Sequence, residues 1–102
     1  MPDAPDRDFR LDEKGRVARA RVGRASLGTA HVRLASGTVG AAVLGIVVSD
    51  DGNTWVTHPD APSVTIGGAT RPFRIAGFGW FAVTVTTPNA AEAIAEVYLG
   101  SC

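Results

Sequence analysis

Val43-Leu44-Gly45-Ile46-Val47-Val48-Ser49-Asp50-Asp51-Gly52-Asn53-Thr54-Trp55 is the stretch on which the fold is decided. Its first half is a short continuous apolar run rich in β-branched side chains, the form of a central strand covered on both faces. Ser49-Asp50-Asp51-Gly52 then supplies turn chemistry, because Ser and Asp side chains bond nearby amides and Gly tolerates positive φ. Residues 53–58 resume as a strand, so the whole predicts a β-hairpin of the form S-x-D-G-x-x-W. Ser49, Asp51, Gly52 and Trp55 are its structural residues, with Gly52 in the left-handed position and Trp55 returning to cover the sheet as a core residue.

Working outward, the period stays close to two, the mark of strands with one buried face. His31-Val32-Arg33-Leu34 alternates polar and apolar, and residues 63–66 and 71–76 read as further strands around a Gly67-Gly68 turn. Phe81, Val83 and Val85 share one face of a strand, with Trp80, Ala82, Thr84 and Thr86 on the other, until Pro88-Asn89 ends it. Asn89-Ala90-Ala91-Glu92 has the spacing of a helix N-cap with its reciprocal glutamate. Strand is nevertheless preferred for residues 94–99, since a lone terminal helix would interrupt a regular meander. About seven short strands at this spacing predict an all-β protein, an antiparallel β-sandwich, with a barrel as the alternative.

The chain has 102 residues, enough for one domain and one core. Its ten basic residues balance ten acids, which removes any whole-molecule attraction for nucleic acid phosphate and argues against that partner. Cys102 is the single cysteine, so an intrachain disulfide and a cysteine metal cluster are both ruled out. Residues 1–13 are studded with Asp, Arg and Pro and lack the form of an export signal. The longest apolar stretch, residues 39–48, falls well short of the roughly 20 that a membrane-spanning helix needs, so no membrane partner is expected.

Charge divides the chain unevenly: seven of the ten basic residues and five of the ten acids precede Ala25. An acidic tip, residues 1–13, leads into a basic stem in which Lys14, Arg16, Arg19, Arg21 and Arg24 occur with no acid. Phe9, Leu11, Val17 and Val22 are its chief apolar groups, too few to offset the ordering entropy of the segment alone. Residues 1–24 are therefore expected to form an extended charged N-terminal arm, or a hairpin around the turn at residues 12–15, and residues 25–102 the sandwich domain.

From about Gly28 to Cys102 the order of features resembles small β-sandwich virion structural proteins of tailed phages and gene transfer agents. In that class an apolar strand and an S-x-D-G-x-x-W hairpin precede a Gly-rich turn, a hydrophobic strand and a final strand ending in a small residue. Here those elements are residues 43–55, Gly67-Gly68, residues 79–87 and residues 94–101. The resemblance implies a virion protein made in the host cytoplasm, serving in head decoration or as a spike, neck or tail component. It would act by protein–protein assembly with other virion proteins, as a homo-oligomer or in many symmetric copies.

Nothing in the sequence assembles a catalytic constellation, and no enzyme activity is expected. His31 alternates with Arg33 on a solvated face, and His58 lies beside Pro59 in a loop; both read as surface residues. Asp50, Asp51 and Asn53 lack the further acids of a calcium loop and serve better as turn caps. Gly67-Gly68 and residues 77–79 lack the strand–loop–helix context of a phosphate-binding loop. No catalytic residue, metal or cofactor is assigned. Phe78 and Trp80 share a parity opposite to Phe81, Val83 and Val85, which offers a patch for a cell-surface glycan or for a protein interface. The arm could instead cover Trp80, or a bulge at residues 77–79 could invert the parity. For the arm, docking onto a neighbouring subunit through Phe9, Leu11, Arg16, Arg19, Arg21 and Arg24 is preferred over a merely solvated tail or a nucleic-acid contact.

Overall fold

The computed structural model describes residues 6–60 and 64–102. Two four-stranded antiparallel sheets face one another across a single core. Their eight strands are β1 (Asp6–Arg10), β2 (Val17–Arg21), β3 (Leu27–Ser36), β4 (Val43–Ser49), β5 (Val56–Thr57), β6 (Phe73–Arg74), β7 (Trp80–Thr87) and β8 (Ile94–Ser101). Sheet A has the order β1-β8-β3-β6 and sheet B the order β2-β7-β4-β5. The expected all-β sandwich is thus the fold observed, with one strand more than the sequence count. The terminal segment expected as strand is β8, and no helix forms among the described residues.

Alternation decides which side chains fill the space between the sheets. Ala30, Val32, Ala95 and Val97 come from sheet A, and Leu44, Ile46, Val48, Phe81, Val83 and Val85 from sheet B. All are buried. Gly28 has a positional reason to be glycine: a Cβ there would lie 3.1 Å from both the Phe73 ring and Ile75 Cγ2, and 3.2 Å from the Phe81 ring. The ring of Phe73 meets that of Phe81 edge-on at 5.8 Å, a favoured aromatic geometry.

The N-terminal segment corrects the expectation of an extended arm. β1 pairs with β8 in sheet A and β2 pairs with β7 in sheet B, so each sheet takes an edge strand from it. The two strands are not a hairpin with each other; the chain turns a corner between the sheets, with Gly15 at φ +82°. Phe9 and Leu11 are 0% exposed, and Ala18, Ala20 and Val22 join the same core. The boundary at Ala25 therefore does not separate an arm from a domain. Residues 1–5 of the expected arm, and residues 61–63 of the expected loop and strand, lie outside the described residues.

Two polar fasteners close the seams where the sheets end. On one side Arg16 bonds Asp6 at 2.9 Å, donates to Val17 O at 3.0 Å, and sits 5.7 Å from the Phe9 ring centroid. On the other side His58 corrects its reading as a surface residue: it is 4% exposed. Its Nε2 pairs with Arg74 O in sheet A, while Nδ1 accepts from Asp60 N at 3.0 Å and its own N–H donates to Ile46 O in sheet B. Those roles require the Nε2–H tautomer. The ring also packs on Phe73 and Phe78.

The remaining strands are shorter than the sequence suggests. Of residues 53–58 only Val56 and Thr57 form β5, and of residues 71–76 only Phe73 and Arg74 form β6. Val64 and Ile66 make single bridges to Leu44 and Val32. Among the described residues no helix is long and apolar enough to cross a membrane.

Candidate docking face on sheet B

The candidate site begins with the loop that follows β4. Ser49 is buried, and its Oγ accepts from Gly52 N at 2.9 Å and Asp51 N at 3.2 Å while donating to Asp51 Oδ1 at 2.9 Å. Asp51 Oδ1 also accepts from Asn53 N and Thr54 N, each at 2.8 Å. Those amide bonds, first from Thr54 and then from Asn53, with the Ser49 hydroxyl third, hold the carboxyl at about 2, below its ordinary 3.8. The Ser49, Asp51 and Gly52 part of the motif therefore works as the sequence predicts.

Trp55 does not. It is half-buried and stands outside the core cluster, because β5 is only two residues long and the chain re-enters the sheet after Trp55 rather than at it. The tryptophan the loop engages is Trp80. Gly52, at φ +82°, lies so close to that indole that a Cβ would come within 3.0 Å of Cε2 and Nε1. Gly79 lets the two segments meet, since a Cβ there would fall 2.6 Å from Asp50 O.

Strand pairing brings the basic residues to the same place. Arg21 is opposite Trp80 and Trp80 opposite Ser49; Arg19 is opposite Ala82 and Ala82 opposite Val47. Ala18 and Ala20 turn inward, so Arg19 and Arg21 turn out. Their guanidinium carbons lie 5.0 and 4.9 Å from the Trp80 ring centroid, a cation–π arrangement worth about 0.5–1 kcal/mol each at exposed sites. Arg19 Nη1 also donates to Gly52 O at 3.0 Å. To reach it, the side chain crosses β7, and Ala82 beneath it is fully buried. Among the described residues Arg19 has no ion-pair partner. A fixed guanidinium with unused donors beside a half-buried indole suits carboxylates on an extended or flat partner.

The other site residues scatter. Phe9 and Leu11 are core residues and cannot touch a partner from their buried positions. Arg16 is the seam fastener, and Arg24 is exposed in the turn after β2. Phe78 and Trp80 do not make a joint aromatic patch: the chain bends at Gly79 between them, so Phe78 packs on the core edge while Trp80 faces outward. Phe78 instead lines two adjoining shallow grooves of about 220 and 180 Å³, one with Val48 and Val56, the other with His58 and Arg74. Gly52 as a backbone acceptor was not legible in sequence. The Ala-Arg-Ala-Arg alternation of residues 18–21 does carry a period-two signal for a basic strand face.

Lowering the pH is expected to weaken the loop in a defined window. The Asp51 carboxyl is depressed to about 2 when folded, so its contribution is fully present above the ordinary carboxylate range and declines as pH falls from about 4 towards 2. Urea midpoints measured across that window should fall more steeply for the wild type than for Asp51→Asn. Parallel slopes would show that the loop does not depend on the charge.

Among the described residues no group of three His, Cys, Asp or Glu side chains gathers to hold a metal ion. No protein-family model, curated protein or solved structure matches the chain.

Proposed function

We propose that the protein is a structural component of a tailed-phage-type particle, joining neighbouring virion proteins in repeated copies through the outer face of sheet B. The observation that carries the reading is Arg19, held by the Trp80 ring and Gly52 O with no acidic partner among the described residues. A long cation fixed in this way has already lost much of the side-chain freedom that binding would otherwise remove. The hairpin resemblance supplies the particle class, and the face supplies the contact. Its partner surface carries carboxylates.

Particles assembled with the Arg19→Ser/Arg21→Ser chain should carry at least about tenfold less of it, equivalent to about 1.4 kcal/mol of lost contact. Wild-type attachment should weaken with salt, because exposed charge contacts are screened over about 8–10 Å. Quantitative imaging of particles, with thermal melts confirming that the variant is folded, measures both. Undiminished occupancy would reject the face.

A second reading, binding of a cell-surface glycan, is favoured by a different pair. On the outer face of sheet A, His31 and Tyr98 are cross-strand partners with ring centroids 6.1 Å apart, and Tyr98 OH donates to Glu96 Oε1 at 3.1 Å. A ring flanked by a carboxylate can stack on a sugar and bond its hydroxyls. Glycan-array binding abolished by Tyr98→Ala would establish it in place of the first.

A further inference from the structure

β2 is an edge strand, and the register fixes which of its backbone groups are used. Arg16 O accepts from Val85 N at 3.1 Å and Val22 N donates to Gly79 O at 3.0 Å. The even-numbered residues between them therefore point their amides and carbonyls at β7, and Val17, Arg19 and Arg21 point theirs away from it. Val17 O is taken by Arg16 Nη1. Among the described residues, nothing bonds the N–H or C=O of Arg19. At the middle of this edge lies an unused ladder position, and the side chain above it is the same Arg19 that crosses to Gly52.

From this we infer that the open edge of β2 takes an extended partner segment as a fifth strand of sheet B, the segment carrying carboxylates at alternate positions opposite Arg19 and Arg21. The inference deepens the assembly reading above and rests on it for the partner. Backbone pairing would supply affinity and the arginines would select the partner. A second copy of β2 does not fit. Antiparallel pairing centred on Arg19 would set Arg19 against Arg19 on one face, and like charges directly opposite one another are destabilising. The same arginines that prevent edge-to-edge self-association admit an acidic strand. The positions between its carboxylates would lie beside the inward-turned Ala18 and Ala20, where small uncharged side chains fit.

The probe is the peptide acetyl-Thr-Asp-Val-Asp-Val-Asp-Thr-amide, titrated into the full-length, isotope-labelled protein. Binding should shift the Val17 and Arg19 amides, slow hydrogen exchange at Arg19 by at least about tenfold, and fail with the all-Asn peptide. Residues directly opposite Arg19 in this register have their own N–H groups aimed at β2. N-methylation of the aspartates should therefore abolish binding, while N-methylation of the valines should be tolerated. Charge-dependent binding indifferent to either methylation would overturn strand addition and leave the docking face standing. No binding by the peptide, with the Arg19→Ser/Arg21→Ser chain still excluded from particles, would do the same. Methylation-sensitive pairing by a protein whose double variant still joins particles would uphold the inference and reject the assembly reading.

Discussion

A chain that begins at Ala25 is expected not to fold. Deleting the residues before it removes an edge strand from each sheet, leaving β7 and β8 with bare edges. Phe9 and Leu11, both 0% exposed, go with them, as do Ala18, Ala20 and Val22. Removing a buried Phe side chain alone costs about 3–5 kcal/mol and a buried Leu about 2–5, against a total stability of about 5–15 kcal/mol for a domain. The truncated chain should show no cooperative thermal transition and little near-ultraviolet circular dichroism. Phe9→Ala in the full chain should lower the unfolding free energy in urea by about 3–5 kcal/mol. A cooperative melt from the truncated chain would mean that the core between β7 and β8 closes without these strands.

That expectation reverses what charge alone suggested, and the reason is physical. Residues 6–22 hold few large apolar groups, so they look unable to order by themselves. An edge strand needs only one buried face, however, and Phe9 and Leu11 on β1 and the turn after it, with Ala18 and Ala20 on β2, provide it. Small inward residues such as Ala18 and Ala20 add little to a count of large apolar groups, yet both are buried in the core. The central strands were legible because their apolar runs are long: Leu44, Ile46 and Val48 alternate within β4, and Phe81, Val83 and Val85 within β7.

The candidate site was legible only in pieces. Arg19, Arg21 and Trp80 were all singled out, but in two separate roles, because nothing local says that β2 lies beside β7. Phe78 shares Trp80's parity in the sequence, and the bend at Gly79 between them is what separates their faces. Trp55 stays outside the core for a related reason. The hairpin motif marks Trp55 by spacing, whereas the loop's own curvature brings Gly52 onto Trp80.

Asn89 is expected to be the most sensitive polar position. Its spacing to Glu92 suggested a helix cap; instead it ties three segments together at one end of the sandwich. Oδ1 accepts from Gly40 N at 2.7 Å, Nδ2 donates to Thr38 O at 3.0 Å and to Ala91 O at 2.9 Å, and its backbone N–H donates to Leu11 O at 2.8 Å. The side chain is in a site only 4% exposed. Nearby Gly37, at φ +84°, packs so closely that a Cβ would stand 2.6 Å from Glu92 O, leaving the corner no room to rearrange. Asn89→Ala removes the partner of one donor and two acceptors; because Thr38, Gly40 and Ala91 are exposed residues, water can reach these groups, and the total cost should be about 1–3 kcal/mol. Asn89→Asp should be worse at neutral pH, because it places a carboxylate oxygen against two carbonyls in place of a donor. Burial and those carbonyls raise the introduced carboxyl's folded pKa above its unfolded value, so the variant should regain stability as pH falls through that range and lose it as pH rises. Urea unfolding of both variants between pH 4 and pH 8 is the measurement. An Asn89→Asp protein as stable as the wild type at pH 8 would show that the corner tolerates a charge, and that the three side-chain bonds are not what holds it.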